Sequence, residues 1–106
     1  MPDYSNKNFN EAFNELKEKL NLSLGQIALK TGLSKSFLSD ISKNKVLPPK
    51  DEFIIKIAQA LKVSPDYFFE YRLRRFTEFL DNNKDFLNQC ITCKSQYLEN
   101  KKSIKK

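Results

Sequence analysis

Histidine and tryptophan are absent from this 106-residue chain, glycine and cysteine occur twice each, and proline four times. Without histidine the chain lacks the commonest general base and the commonest nitrogen ligand for zinc. Neither a phosphate-cradling glycine-rich loop nor a GxSxG element is present, so an enzyme is not expected. The scarcity of glycine and the lack of regular apolar alternation argue against a sheet protein. No run approaches the 18 or so apolar residues of a membrane span. The stretch through Asn8 is polar, carries Asp3 and has no apolar core of a secretory signal, so a cytoplasmic location is expected. In a reducing cytosol Cys90 and Cys93 are expected as thiols, unless they bind metal or serve redox chemistry. A CxxC pair on one helical face invites a zinc or redox reading. Zinc takes four ligands, however, so such a site needs cysteines from both subunits of a dimer, and small packing residues are the alternative. No cofactor is expected.

What the chain does have is apolar residues at helical spacing. Hydrophobic residues make up 40% of it, with nine Phe and four Tyr, enough for one core. Phe9, Ala12, Phe13, Leu16 and Leu20 form one buried helical face, with Asn8 and Glu11 as a start signal. Ser23 followed by Gln26 is a capping box opening a second helix, and Gly32 suits the left-handed residue that ends it. Ser34 caps a third helix with Leu38 and Ile41 inward, and Asn44 suits its left-handed stop. Pro48 and Pro49 force an extended connection. Asp51 and Glu52 then complement the positive end of a fourth helix carrying Phe53, Ile54, Ile57, Ala58 and Leu61.

Ser64 and Pro65 predict the opening of a fifth helix through Phe68, Phe69, Leu73, Phe76 and Leu80, interrupted at Asp81, Asn82 and Asn83. A sixth helix carries Phe86, Leu87, Cys90, Ile91, Tyr97 and Leu98, and is expected to dissolve into a lysine-rich tail after Asn100. Glu11, Glu15 and Glu18, with Lys17 and Lys19 nearby, suit an exposed face of helix one.

Two short helices joined by a three- or four-residue turn containing glycine can cross near a right angle, and the second then protrudes far enough to enter a major groove. Ala28 is small where the two helices approach, Gly32 makes the turn, and Ile27, Leu33, Leu38 and Ile41 anchor both. The segments SLGQIALKTGLSKSFLSDISKNK and IIKIAQALKVSPDYFF resemble the Cro/repressor type of helix-turn-helix, also called XRE-like. The resemblance covers about residues 9 to 71. It departs from the family at Leu24, where a phosphate-contacting Gln often opens helix two, and at Ser42 and Asn44, where Glu-x-Gly is common.

The resemblance implies an all-α fold: a five-helix repressor-like helix-turn-helix domain over residues 1–71, and an additional C-terminal helical segment over 72–106. It implies duplex DNA as partner and assigns Lys35, Ser36, Ser39 and Asp40 to base edges. The chemistry is compatible, since Lys donates to guanine, Ser serves either kind of partner and Asp accepts from cytosine N4. Phe37 is open to two readings, a thymine-methyl contact or packing. Ser23, Gln26, Ser34 and Asn44 join the DNA-binding set through the motif.

The formal charge of +6 suits a polyanionic partner, though an A·T-rich genome also enriches lysine. Between residues 35 and 50 four lysines, Lys35, Lys43, Lys45 and Lys50, oppose the single Asp40. Those beyond helix three would neutralise phosphates, whereas a merely solvated face is the alternative. The C-terminal stripe has to be covered, either by a second copy in a homodimer or as extra core of one subunit. Lys101, Lys102, Lys105 and Lys106 either add phosphate contacts or form a solvated terminus. The function expected is a dimeric, sequence-specific transcriptional repressor. The alternative is a protein-interaction module such as the antitoxin of a toxin–antitoxin pair.

Overall fold

Apolar spacing turns into helices throughout the computed structural model, which describes residues 4–104, with side chains up to Lys101. Lys105 and Lys106, and the side chain of Lys102, lie outside the described residues. Among those described there is no strand. The order is α1 (Phe9–Lys19), α2 (Leu24–Thr31), α3 (Lys35–Ser42), α4 (Asp51–Ala60), a 3-10 turn (Pro65–Tyr67), α5 (Phe69–Asn82) and α6 (Lys84–Ile104). The chain divides into two compact units, one up to Leu73 and one from Arg74.

In the first unit α1 buries Phe9, Ala12, Phe13 and Leu16, the i, i+3, i+4, i+7 positions of one face. They meet Ile27 of α2, Leu38 and Ile41 of α3, and Ile54, Ile57 and Ala58 of α4, together with Leu61 and Phe68. The start signal of α1 works only in part. Glu11 lies in the first turn, but the side chain of Asn8 makes no capping bond. Glu70 does that work instead: its Oε2 accepts from the Phe9 backbone N–H at 3.1 Å. A carboxylate there also complements the helix dipole.

Both α1 and α4 end in a left-handed residue that is not glycine. After α1, Asn21 has φ 55°, and the Leu22 N–H reaches back to the Lys17 carbonyl at 2.9 Å. After α4, Lys62 has φ 61°, and the Val63 N–H bonds the Ala58 carbonyl at 3.0 Å. Reverse-turn bonds of this kind satisfy carbonyls that the helix end leaves open.

The fifth helix does not start where Ser64 and Pro65 predict. Ser64 Oγ does accept from the Asp66 N–H, yet the helix it opens is a single 3-10 turn, and Phe68 (φ −86°, ψ 130°) is extended. That break carries the Phe68 ring into the core, 4.5 Å from Phe9 between centroids, so burial of one large ring overrides helix continuity. Arg72, in the first turns of α5, ties the N-terminal segment down. Its guanidinium donates to the carbonyls of Ser5, Asp66 and Tyr67 and to Asn6 Oδ1, and lies 4.7 Å from the Tyr4 ring centroid.

In the second unit α5 ends at Asn82, and Asn83 alone separates it from α6. The side-chain amides of Asn82 and Asn83 donate to the Glu78 and Phe79 carbonyls, satisfying the last turn of α5. α6 does not stop at Asn100 but runs to Ile104, because Lys and Ser do not break a helix as Gly or Pro would. Phe76, Phe79 and Phe86 touch one another, with centroids 5.3 to 6.3 Å apart. No described residue of this unit is buried.

Candidate DNA-binding surface

The helix-turn-helix is built from short-range hydrogen bonds that the local sequence supplies. Ser23 Oγ accepts from the Gln26 N–H at 3.1 Å, while Gln26 Oε1 accepts from the Ser23 N–H at 2.8 Å, closing the capping box of α2. At the other end Gly32 has φ 76°, and its N–H bonds the Ala28 carbonyl at 2.9 Å. Thr31, which sequence reasoning passed over, is buried. Its hydroxyl donates to the Ile27 carbonyl at 2.8 Å and accepts from the Leu33 N–H at 3.1 Å, bracing the turn from inside. Ser34 Oγ then accepts from the Phe37 N–H at 3.1 Å, opening α3 three residues after Thr31.

With α3 seated on Leu38 and Ile41, helical rotation decides the rest. Lys35, Ser36, Ser39 and Lys43 fall within an arc of about 100° opposite the buried pair. Lys35, Ser36 and Lys43 are exposed and Ser39 is half-buried at their centre. Asp40, also half-buried, lies on one margin of this arc. Phe37 turns toward the buried side, where its ring meets Phe53 edge-on at 5.7 Å. Packing is therefore the reading of Phe37 that the geometry favours.

Asn44, at φ 57°, ends the helix as its sequence position suggests, and the Lys45 N–H closes onto the Asp40 carbonyl at 2.9 Å. Lys43, Asn44, Lys45 and Lys50 are all exposed along the connection to α4. Ser23, Gln26 and Ser34 are exposed as well, each holding a helix N-terminus. Beside this connection lies a cleft of about 200 Å³, lined in part by Phe9, Ile41, Asn44, Leu47 and Glu70. It is smaller than the usual pocket for an organic ligand.

A family model described as a helix-turn-helix domain matches residues 10–70, more than half of the chain. The chain belongs to the XRE-like helix-turn-helix family. A chain of the solved "SinR protein/SinI protein complex" is similar to it at 25% identity, over 76% of this chain and 98% of that one, with a TM-score of 0.55. No curated protein matches. This XRE-like chain is accordingly a DNA-binding regulator.

Two further features bear on chemistry in the XRE-like chain. Cys90 is half-buried and Cys93 exposed, both as free thiols, and no group of three His, Cys, Asp or Glu among the described residues is placed to hold a metal ion. No helix among them is long and apolar enough to cross a membrane.

Proposed function

We propose that the chain represses transcription as a homodimer bound to duplex DNA of defined sequence, with α3 in the major groove. The observation that carries this reading is the polar and basic edge of α3, held outward by a doubly capped helix pair whose other side is sealed in the core. In it Lys35 donates to guanine, Ser36 and Ser39 serve either kind of base, and Asp40 accepts from cytosine. Lys43, Lys45 and Lys50 neutralise phosphates and fix register. Ser23, Gln26, Ser34 and Asn44 line the backbone contacts. Of the Gln26 side chain the capping box engages only Oε1, and the –NH2 group carries the donors that a phosphate accepts.

Dimerisation draws its support from the second unit. Phe76, Phe79, Ile91, Tyr97 and Leu98 are all exposed there, and a helical surface of this kind is stable in water when another apolar surface covers it. A two-fold mate would place two α3 helices on successive major grooves, about one helical turn of DNA apart. The same exposed face favours a second reading, in which it binds a different protein, as an antitoxin binds its toxin. The similar solved chain comes from a complex of two proteins.

Selection of bound duplexes from a random-sequence pool, at two salt concentrations, tests the proposal. An enriched two-fold symmetric site is expected, with binding that weakens steeply as salt rises. Binding without an enriched sequence contradicts it and favours the protein-partner reading. Within the enriched site, Lys35→Ala should relax preference at one position at a cost of about 1–3 kcal/mol, whereas Lys45→Ala should weaken all duplexes alike. Equal losses of specificity from the two variants contradict the assigned roles.

A further inference from the structure

Asn14 lies in the middle of α1 and Ser42 in the last turn of α3, yet one side-chain amide meets one residue in a closed pair. Asn14 Nδ2 donates to the Ser42 carbonyl at 2.9 Å, and Ser42 Oγ donates to Asn14 Oδ1 at 2.7 Å. Both residues are half-buried, so water competes for these bonds less than at an open surface.

Among the described residues the other side-chain anchors of α3 are apolar. Leu38 and Ile41 are sealed in the core and Phe37 rests on Phe53. Apolar contact is non-directional, so those anchors hold the depth of this eight-residue helix more firmly than a small roll about its axis. Such a roll matters for reading. A side-chain tip about 6 Å from the axis moves about 1.5 Å for a roll of about 15°, beyond what a hydrogen-bonded site tolerates. A pair of opposed, directional hydrogen bonds at one end of the helix blocks this freedom.

We infer that the Asn14–Ser42 pair is a positioning lock, which sets the roll of α3 and through it the base preference of Lys35, Ser36 and Ser39. Asn14 is thus a specificity determinant that reads no base itself. The lock is neutral, so salt leaves it intact while weakening the phosphate contacts. The inference rests on the proposed DNA reading, and adds that α1, outside the helix-turn-helix proper, governs its selectivity.

The test compares affinity for the selected duplex with affinity for a scrambled duplex, at two salt concentrations, for the parent chain, Asn14→Ala, Ser42→Ala and the double variant. Each single variant should lower the ratio of the two affinities about tenfold, the double variant no further, and the salt slope should stay as in the parent. Asn14→Asp, which keeps the shape but loses the donation to the Ser42 carbonyl, should fall with them. A merely structural role lowers the folded fraction, and so weakens both duplexes equally. That result, or an unchanged ratio, overturns the lock while the parent's own preference stands. A parent chain that prefers no duplex overturns the DNA reading and the lock together.

Discussion

Phe9, Phe13 and Phe68 in the unit up to Leu73 are fully buried, whereas Phe76, Phe79 and Phe86 in the unit from Arg74 stay 46, 46 and 39% exposed. The same residue type does two different jobs. In the first unit four helices and a 3-10 turn enclose their rings from several sides, and the apolar surface removed from water holds that unit together. In the second, two consecutive helices bring three rings into contact at one corner and leave Ile91, Tyr97 and Leu98 facing outward. The first unit has a sealed core, whereas the second keeps its apolar side chains at the surface.

The largest effect that would break this contrast lies in the cores. Phe68→Ala should cost about 3–5 kcal/mol in urea unfolding followed by circular dichroism. Phe79→Ala should cost under about 1 kcal/mol at a protein concentration too low for association, since a half-exposed ring leaves no sealed cavity. Comparable losses from the two would mean that the second unit has a core of its own. Next comes the proposed interface. Ile91→Glu with Tyr97→Glu should weaken self-association at least about tenfold in analytical ultracentrifugation, with the unfolding midpoint of the first unit unmoved. An association constant equal to the parent's would place the dimer contact elsewhere.

A smaller effect sharpens how the first unit is built. Ser23→Ala removes half of the α2 capping box and should lower stability by about 1 kcal/mol, read from the same urea curves. No change there would mean that the turn holds without its cap. Smallest is the surface pair of Lys7 and Glu15. The hydrogen bond and charge of Glu15 raise the Lys7 pKa above its ordinary 10.5. Because the folded value exceeds the unfolded one, the contribution is complete below about pH 10.5 and fades as pH rises through the folded value. Lys7→Ala should therefore melt almost with the parent at neutral pH, and the small gap should close in alkali. A gap that widens with pH would contradict the pairing.

Much of the helix-turn-helix was legible because its signals are local. Ser23 with Gln26, Gly32, Ser34 and Asn44 act within a few residues of themselves, and the spacing of Leu38 and Ile41 turns Lys35, Ser36 and Lys43 outward without reference to anything distant. Other features were not legible because their partners are remote in sequence. Nothing around Phe9 announces that Glu70 caps α1, nothing around Ser5 announces the Arg72 clamp, and Asn14 carries no mark of Ser42. Asn21 and Lys62 at positive φ were missed because glycine, the usual signal, is absent there.

The sequence by itself therefore determined which segments are helices, where most of them start and stop, and which side of α3 is polar, because helix periodicity and capping act over one or two turns. Only the tertiary structure decided that Phe68 leaves the helix for the core, that Phe37 packs on Phe53, and that α1 grips the end of α3. Those outcomes depend on which surfaces meet, and chain closure over tens of residues leaves no local trace in composition or spacing.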